Sequence, residues 1–178
     1  TGARAKTLLQ PVTVAVTQVL ETHGGFMEHG AFVRTLLQIA GDSDSNRVGI
    51  EFLLREILTD HVEPIPASHA FRSGWRLRRS PLGDLQSVIA AIKHFFEQTA
   101  KPLPQATFLT EARAAMNGDT VSAKTVSDEA LLAAVDLSTE LDHNPFGEYG
   151  LARWSRVHPR RMNDKILLVL ERAGQPLH

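Results

Sequence analysis

Apolar residues recur along the chain at helical spacing, and the pattern is interrupted in the same way three times. In VTQVLETHGGFMEHG (16–30), IKHFFEQTAKPLPQA (92–106) and ILLVLERAGQPLH (166–178), an amphipathic helix ends at a two-residue break. A short apolar entry into the next element follows each break. Leu20 before Gly24 and Phe26, Phe96 before Lys101 and Leu103, and Leu170 before Gly174 and Leu177 hold matching places. The spacing, about 75 residues, is that of a repeated supersecondary unit.

Both complete copies continue alike. A second helix closes at a glycine, GAFVRTLLQIAG at Gly41 and QATFLTEARAAMNG at Gly118, where glycine supplies the left-handed residue past a helix end. A polar loop follows, GDSDSNR or GDTVSAKT, and then a third helix. Its apolar positions are expected at Val48, Phe52, Leu53, Ile57 and Leu58 in the first copy. In the second they are Val126, Ala130, Leu131, Ala134 and Val135. The stretches VEPIPASHAFRSGWRL and LDHNPFGEYGLARW then carry turn residues between extended runs, which predicts a hairpin ending in Trp75 or Trp154.

Three helices followed by a two-stranded ribbon make the winged variant of helix-turn-helix. The expected fold class is therefore mainly α with small β wings, built as tandem winged helix-turn-helix repeats. The boundaries read as 1–79 for the first unit, 80–157 for the second and 158–178 for the first helix of a truncated third. The connections SPLGD and SRVHPRR are short, and Ser80 and Pro81 suit the cap and first position of a helix.

Composition narrows the function. With 178 residues and 43% hydrophobic content the chain can bury an ordinary core. No run of roughly 18 apolar residues exists to span a membrane, and the start lacks the continuous apolar stretch of a secretion signal, so a cytoplasmic protein is expected. The absence of cysteine removes disulfides, thiolate nucleophiles and cysteine-based zinc sites. A net charge of −1 provides no global basic field, so any nucleic-acid contact must rest on local patches.

Four such patches stand out. Arg72, Arg76, Arg78 and Arg79 fall within FRSGWRLRR without an acid, and on a wing strand the first three would share a face suited to phosphate. The same charges also serve as protection of a strand edge. Ser45, Asn46 and Arg47 stand where a recognition helix presents its N-terminal end to base edges, although Asp42, Asp44, Glu51 and Glu56 oppose phosphate there, and ordinary helix capping accounts for the same residues. Lys124, beside Ser122 and Thr125, occupies the equivalent place in the second copy. Arg153, Arg156, Arg160 and Arg161 form a basic junction before the third copy, with Lys165 beyond it.

Other chemistry is not expected. Asp42, Asp44 and Asn46 imitate a calcium loop, but Arg47 and Leu53 stand where it needs glycine and glutamate. The eight histidines lack ligand spacing, and no nucleophile elbow, phosphate loop or dinucleotide fingerprint occurs. No catalytic residue, metal or cofactor is therefore assigned. Trp75, Trp154, Phe95 and Phe96 lie among apolar neighbours and read as core.

Residues 146–178, FGEYGLARWSRVHPRRMNDKILLVLERAGQPLH, carry Trp154, the His158-Pro159 pair before a helix, and a helix ending ERAGQPLH with Pro176 and Leu177. This stretch resembles the entry into a HARE-HTH domain, the winged-helix module of the bacterial RNA polymerase delta subunit and of sigma-factor-like proteins. The resemblance covers about a fifth of the chain and implies a role in transcription. Duplex DNA is then the expected partner. RNA polymerase or another transcription protein is the alternative, reached through a protein-interaction module.

Overall fold

A computed structural model describes residues 2–118 and 126–173. Lys124, with its neighbours Ser122 and Thr125, and the last five residues lie outside the described residues. The chain is mainly α with small antiparallel sheets. The first copy runs α1 (Gly2–Thr22), β1 (Phe26–Glu28), α2 (His29–Ala40), α3 (Asp44–Phe52), β2 (Val62–Ile65) and β3 (Gly74–Leu77). The second runs α4 (Leu82–Thr99), β4 (Leu103–Pro104), α5 (Gln105–Gly118), α6 (Asp128–Leu137), β5 (Leu141–His143) and β6 (Glu148–Leu151), and α7 (Met162–Ala173) follows.

Each copy thus has a helix, a short strand, two helices and a hairpin. The strand orders also match, β1-β3-β2 and β4-β6-β5, all antiparallel. This is the winged helix-turn-helix arrangement, twice over. The sheets have three strands where a two-stranded ribbon is expected, because the short apolar entry after each break pairs with the last hairpin strand. Met27 faces Trp75 and Leu103 faces Tyr149. Two- and three-residue strands leave no alternation to read, and their partners are distant in sequence.

The register also corrects the match between the tryptophans. Tyr149 holds the place of Trp75, while Trp154 lies in a turn beyond β6. Trp75 is fully enclosed in the first core, whereas Trp154 is half-buried, edge-on to Phe96 with ring centroids 6.0 Å apart. Gly150 makes room for that indole: a Cβ there would stand 2.7 Å from its ring. In the same core Phe96, Phe108 and Tyr149 stack at centroid separations of 5.3 and 5.2 Å.

Local chemistry sets the helix ends. Glu28 caps α2, accepting from the N–H groups of Gly30 and Ala31 at 2.8 Å each. Gly41 ends it with φ of 92°, its N–H reaching Leu37 O at 2.8 Å. Ser43 then caps α3, accepting from Asn46 N at 3.1 Å. At Leu53–Ile57 the helix widens to a π turn, closed by Leu58 N to Leu53 O at 2.8 Å.

The core uses a different face of α3 from the expected one. Ile50, Leu54 and Leu58 are buried with Phe32, Leu36 and Leu37, whereas Val48 and Phe52 are 70% and 57% exposed and Ile57 also faces outward. Two apolar stripes run along this helix at compatible spacings, and periodicity alone does not choose between them.

By contact the chain divides into two compact units, Thr1–Ser87 with Val126–Leu137 and Val88–Thr125 with Ser138–His178. The division falls inside α4. It also puts α6 in the first unit, where the repeat alone places it with the second copy. Within that unit α6 packs on β1. Gly24 and Gly74 leave space for it: a Cβ on Gly24 would lie 2.7 Å from Ala130 Cβ, and one on Gly74 2.4 Å from Leu137 Cδ2.

Candidate nucleic-acid interface

The arginines of FRSGWRLRR do not form one face. β3 spans only Gly74–Leu77, so strand alternation does not extend to Arg72 or Arg78. Arg72 instead closes the C-terminus of α6. Its backbone N–H donates to Leu137 O at 2.7 Å and its Nη1 to Asp136 O at 3.1 Å, satisfying carbonyls the helix leaves open.

Arg76 is half-buried. Its Nη2 donates to Glu63 Oε2 at 2.6 Å across the β2–β3 ladder, and its Nη1 donates to Ser80 O at 2.7 Å. Arg78 donates from Nε to Thr59 O at 3.0 Å, and Arg79 pairs with Glu21. These three lie at the base of the hairpin. Its tip, residues 66–73, is turned by Ser68, whose Oγ accepts from the N–H groups of Ala70 and Phe71.

At the start of α3 the side chain of Asn46 is also spent. Its Nδ2 donates to the carbonyls of Ala40 and Gly41, both at 2.9 Å, so it closes the end of α2. Arg47 is exposed and paired with Asp42 at 3.0 Å. Ser45 is exposed. Further along, Arg55 Nε donates to Glu51 Oε2 at 3.1 Å. Glu51 Oε1 in turn lies 3.1 Å from His29 Nε2, and His29 Nδ1 accepts from Trp75 Nε1 at 3.1 Å. An indole nitrogen only donates, so the shared proton arrangement puts hydrogen on His29 Nε2, facing Glu51.

The outward side of α3 therefore carries Val48 and Phe52 between Asp44 and Glu56, with both of its arginines matched to carboxylates. Its counterpart α6 buries Leu131, Ala133, Ala134, Val135 and Leu137. The two helices that would enter a DNA groove thus offer an acid-flanked apolar strip and an enclosed apolar helix.

At the junction, Arg153 pairs with Glu97 at 3.3 Å, and the carbonyl of Arg156 accepts from Asn144 Nδ2 at 3.0 Å. Arg160 and Arg161 are exposed at the start of α7, and among the described residues their guanidinium groups meet no carboxylate. Asp164 Oδ2 accepts from Arg161 N at 3.3 Å and sets a negative charge in the same turn.

Sequence reasoning missed the polar chain from Trp75 to Arg55 and the socket that receives α6. Gly24 signals that socket, but glycine there also reads as a turn. No metal-binding group of three or more His, Asp or Glu exists among the described residues, and no described helix is long and apolar enough to cross a membrane. Fold and surface together define a tandem winged helix-turn-helix protein. No protein-family model, curated protein or solved structure matches the chain.

Proposed function

We propose that this chain is a protein-interaction module built from tandem winged helices, not a reader of duplex DNA through its third helices. The observation that carries this reading is the outward side of α3, where Val48 and Phe52 are exposed between Asp44 and Glu56 while Arg47 and Arg55 are held by Asp42 and Glu51. A phosphate backbone repels such a strip. A protein surface with an apolar centre and a basic rim fits it.

The state of the expected DNA contacts supports the same reading. Of those described, Arg47, Arg76, Arg79 and Arg153 have carboxylate partners, and Arg72, Arg78 and Asn46 bind backbone carbonyls. Arg160 and Arg161 alone would give a salt slope of about −2 at roughly 0.9 per phosphate, against 6–10 phosphates for firm binding. What supports a partner in the transcription machinery, such as RNA polymerase, is the resemblance of residues 146–178 to a HARE-HTH entry.

The test combines two measurements. A photo-crosslinking residue at position 52 should capture one discrete protein adduct in cells, and the same residue at the exposed Gln98 should capture none. Labelled duplex DNA titrated at low salt should show no saturable binding. Duplex binding that falls steeply with added salt, together with an uncaptured position 52, would overturn the reading.

A further inference from the structure

The two ends of this chain carry matching unpartnered surfaces. On α7, Met162, Ile166 and Leu170 follow at four-residue spacing and are 69%, 50% and 36% exposed. The equivalent positions of α1 and α4 are closed: Leu20 and Phe96 are fully buried, and Val16 and Ile92 nearly so. Leu168 is buried on the other side of α7, so the open stripe is a second apolar face. Its first turn is basic, with Arg160, Arg161 and Lys165 against Asp164.

The first unit holds a cleft of complementary shape and charge. α1, α2 and α3 do not close over one another, and a cavity of about 320 Å³ remains between Val12, Ala15, Leu36, Ile39, Ile50 and Leu53, with no charged residue in its lining. Ile39 stands on its lip, 63% exposed. α2 ends beside the cleft at Ala40, and the next residues bring the exposed carboxylates of Asp42 and Asp44. An apolar trough with acids at one end is suited to an amphipathic helix with cations at one end.

We propose that α7 of one copy of the chain lies in the α1–α2–α3 cleft of a second copy. The Met162, Ile166 and Leu170 stripe sits on the apolar lining, with Arg160 and Arg161 towards Asp42 and Asp44. This deepens the interaction reading by naming a second copy as one partner, on a surface other than the Val48 and Phe52 strip. The two patches differ, so the contact is heterologous, and copies join head to tail into rings or open chains. One helix in one cleft falls below about 1,200 Å² of buried surface, which places the dissociation constant on the order of tens of micromolar.

Sedimentation velocity of the full chain across that range tests the idea. The weight-average mass should climb past that of a dimer as concentration rises. Ile166→Asp and Ile39→Asp change exposed side chains, leave the circular dichroism of the wild type unchanged, and should each yield a monomer. Mixed together they retain one intact α7 and one intact cleft, so the mixture should form a heterodimer that grows no further. A wild-type chain that stays monomeric throughout, or a mixture that stays monomeric, would overturn the proposal. Such a failure with position 52 still capturing its adduct would leave the interaction reading standing, whereas loss of both would remove it.

Discussion

Alanine at Gly74 and alanine at Gly49 should change stability in opposite directions, although the chemical change is identical. A Cβ at Gly74 would stand 2.4 Å from Leu137 Cδ2 and 2.6 Å from Met27 O. The leucine can turn away, but the carbonyl belongs to β1, which is paired to β3 across Glu28 and Gly74 and cannot retreat without breaking the ladder. Overpacking of this kind costs about 1–3 kcal/mol, and the stiffer unfolded chain returns about 0.4–1 kcal/mol, leaving a net loss of about 1–2 kcal/mol. At Gly49, within α3, a Cβ meets nothing within 4 Å, so better helix propensity should stabilise by up to about 1 kcal/mol. Urea denaturation followed by circular dichroism measures both. A cycle with Leu137→Ala goes further, since removing Cδ2 relieves one of the two clashes. The double variant should be more stable than the sum of the singles by at least about 0.5 kcal/mol. A Gly74→Ala protein as stable as wild type, or strict additivity in the cycle, would show that α6 does not press on β3.

Two further substitutions separate structural from exposed polar groups. Asn46→Ala removes two hydrogen bonds to the carbonyls that end α2 and should destabilise by about 1 kcal/mol in the same denaturation assay; a neutral effect would mean the amide is free for other work. Arg79→Ala breaks only an exposed pair with Glu21 and should shift stability by less than about 1 kcal/mol, a difference thermal melts at low and high salt would bound.

The repeat was legible because its punctuation is local. A helix that stops at a two-residue break, a glycine that closes the next, and turn residues before an aromatic strand each act within a few residues, so they stand in the sequence and return in the fold. The class of fold followed from them. Long-range geometry decided the rest. Which apolar stripe of α3 faces inward depends on what α1 and α2 present to it, and the inward set proved to be Ile50, Leu54 and Leu58. The third strand of each sheet pairs across more than forty residues, and only that pairing shows Tyr149 in the place of Trp75. The candidate site was the least legible part. A sequence states how many arginines lie together, but whether each guanidinium faces solvent depends on which carbonyl or carboxylate folding brings beside it. For Arg72 that neighbour is the end of a helix 64 residues away, and for Arg76 a glutamate across the ladder.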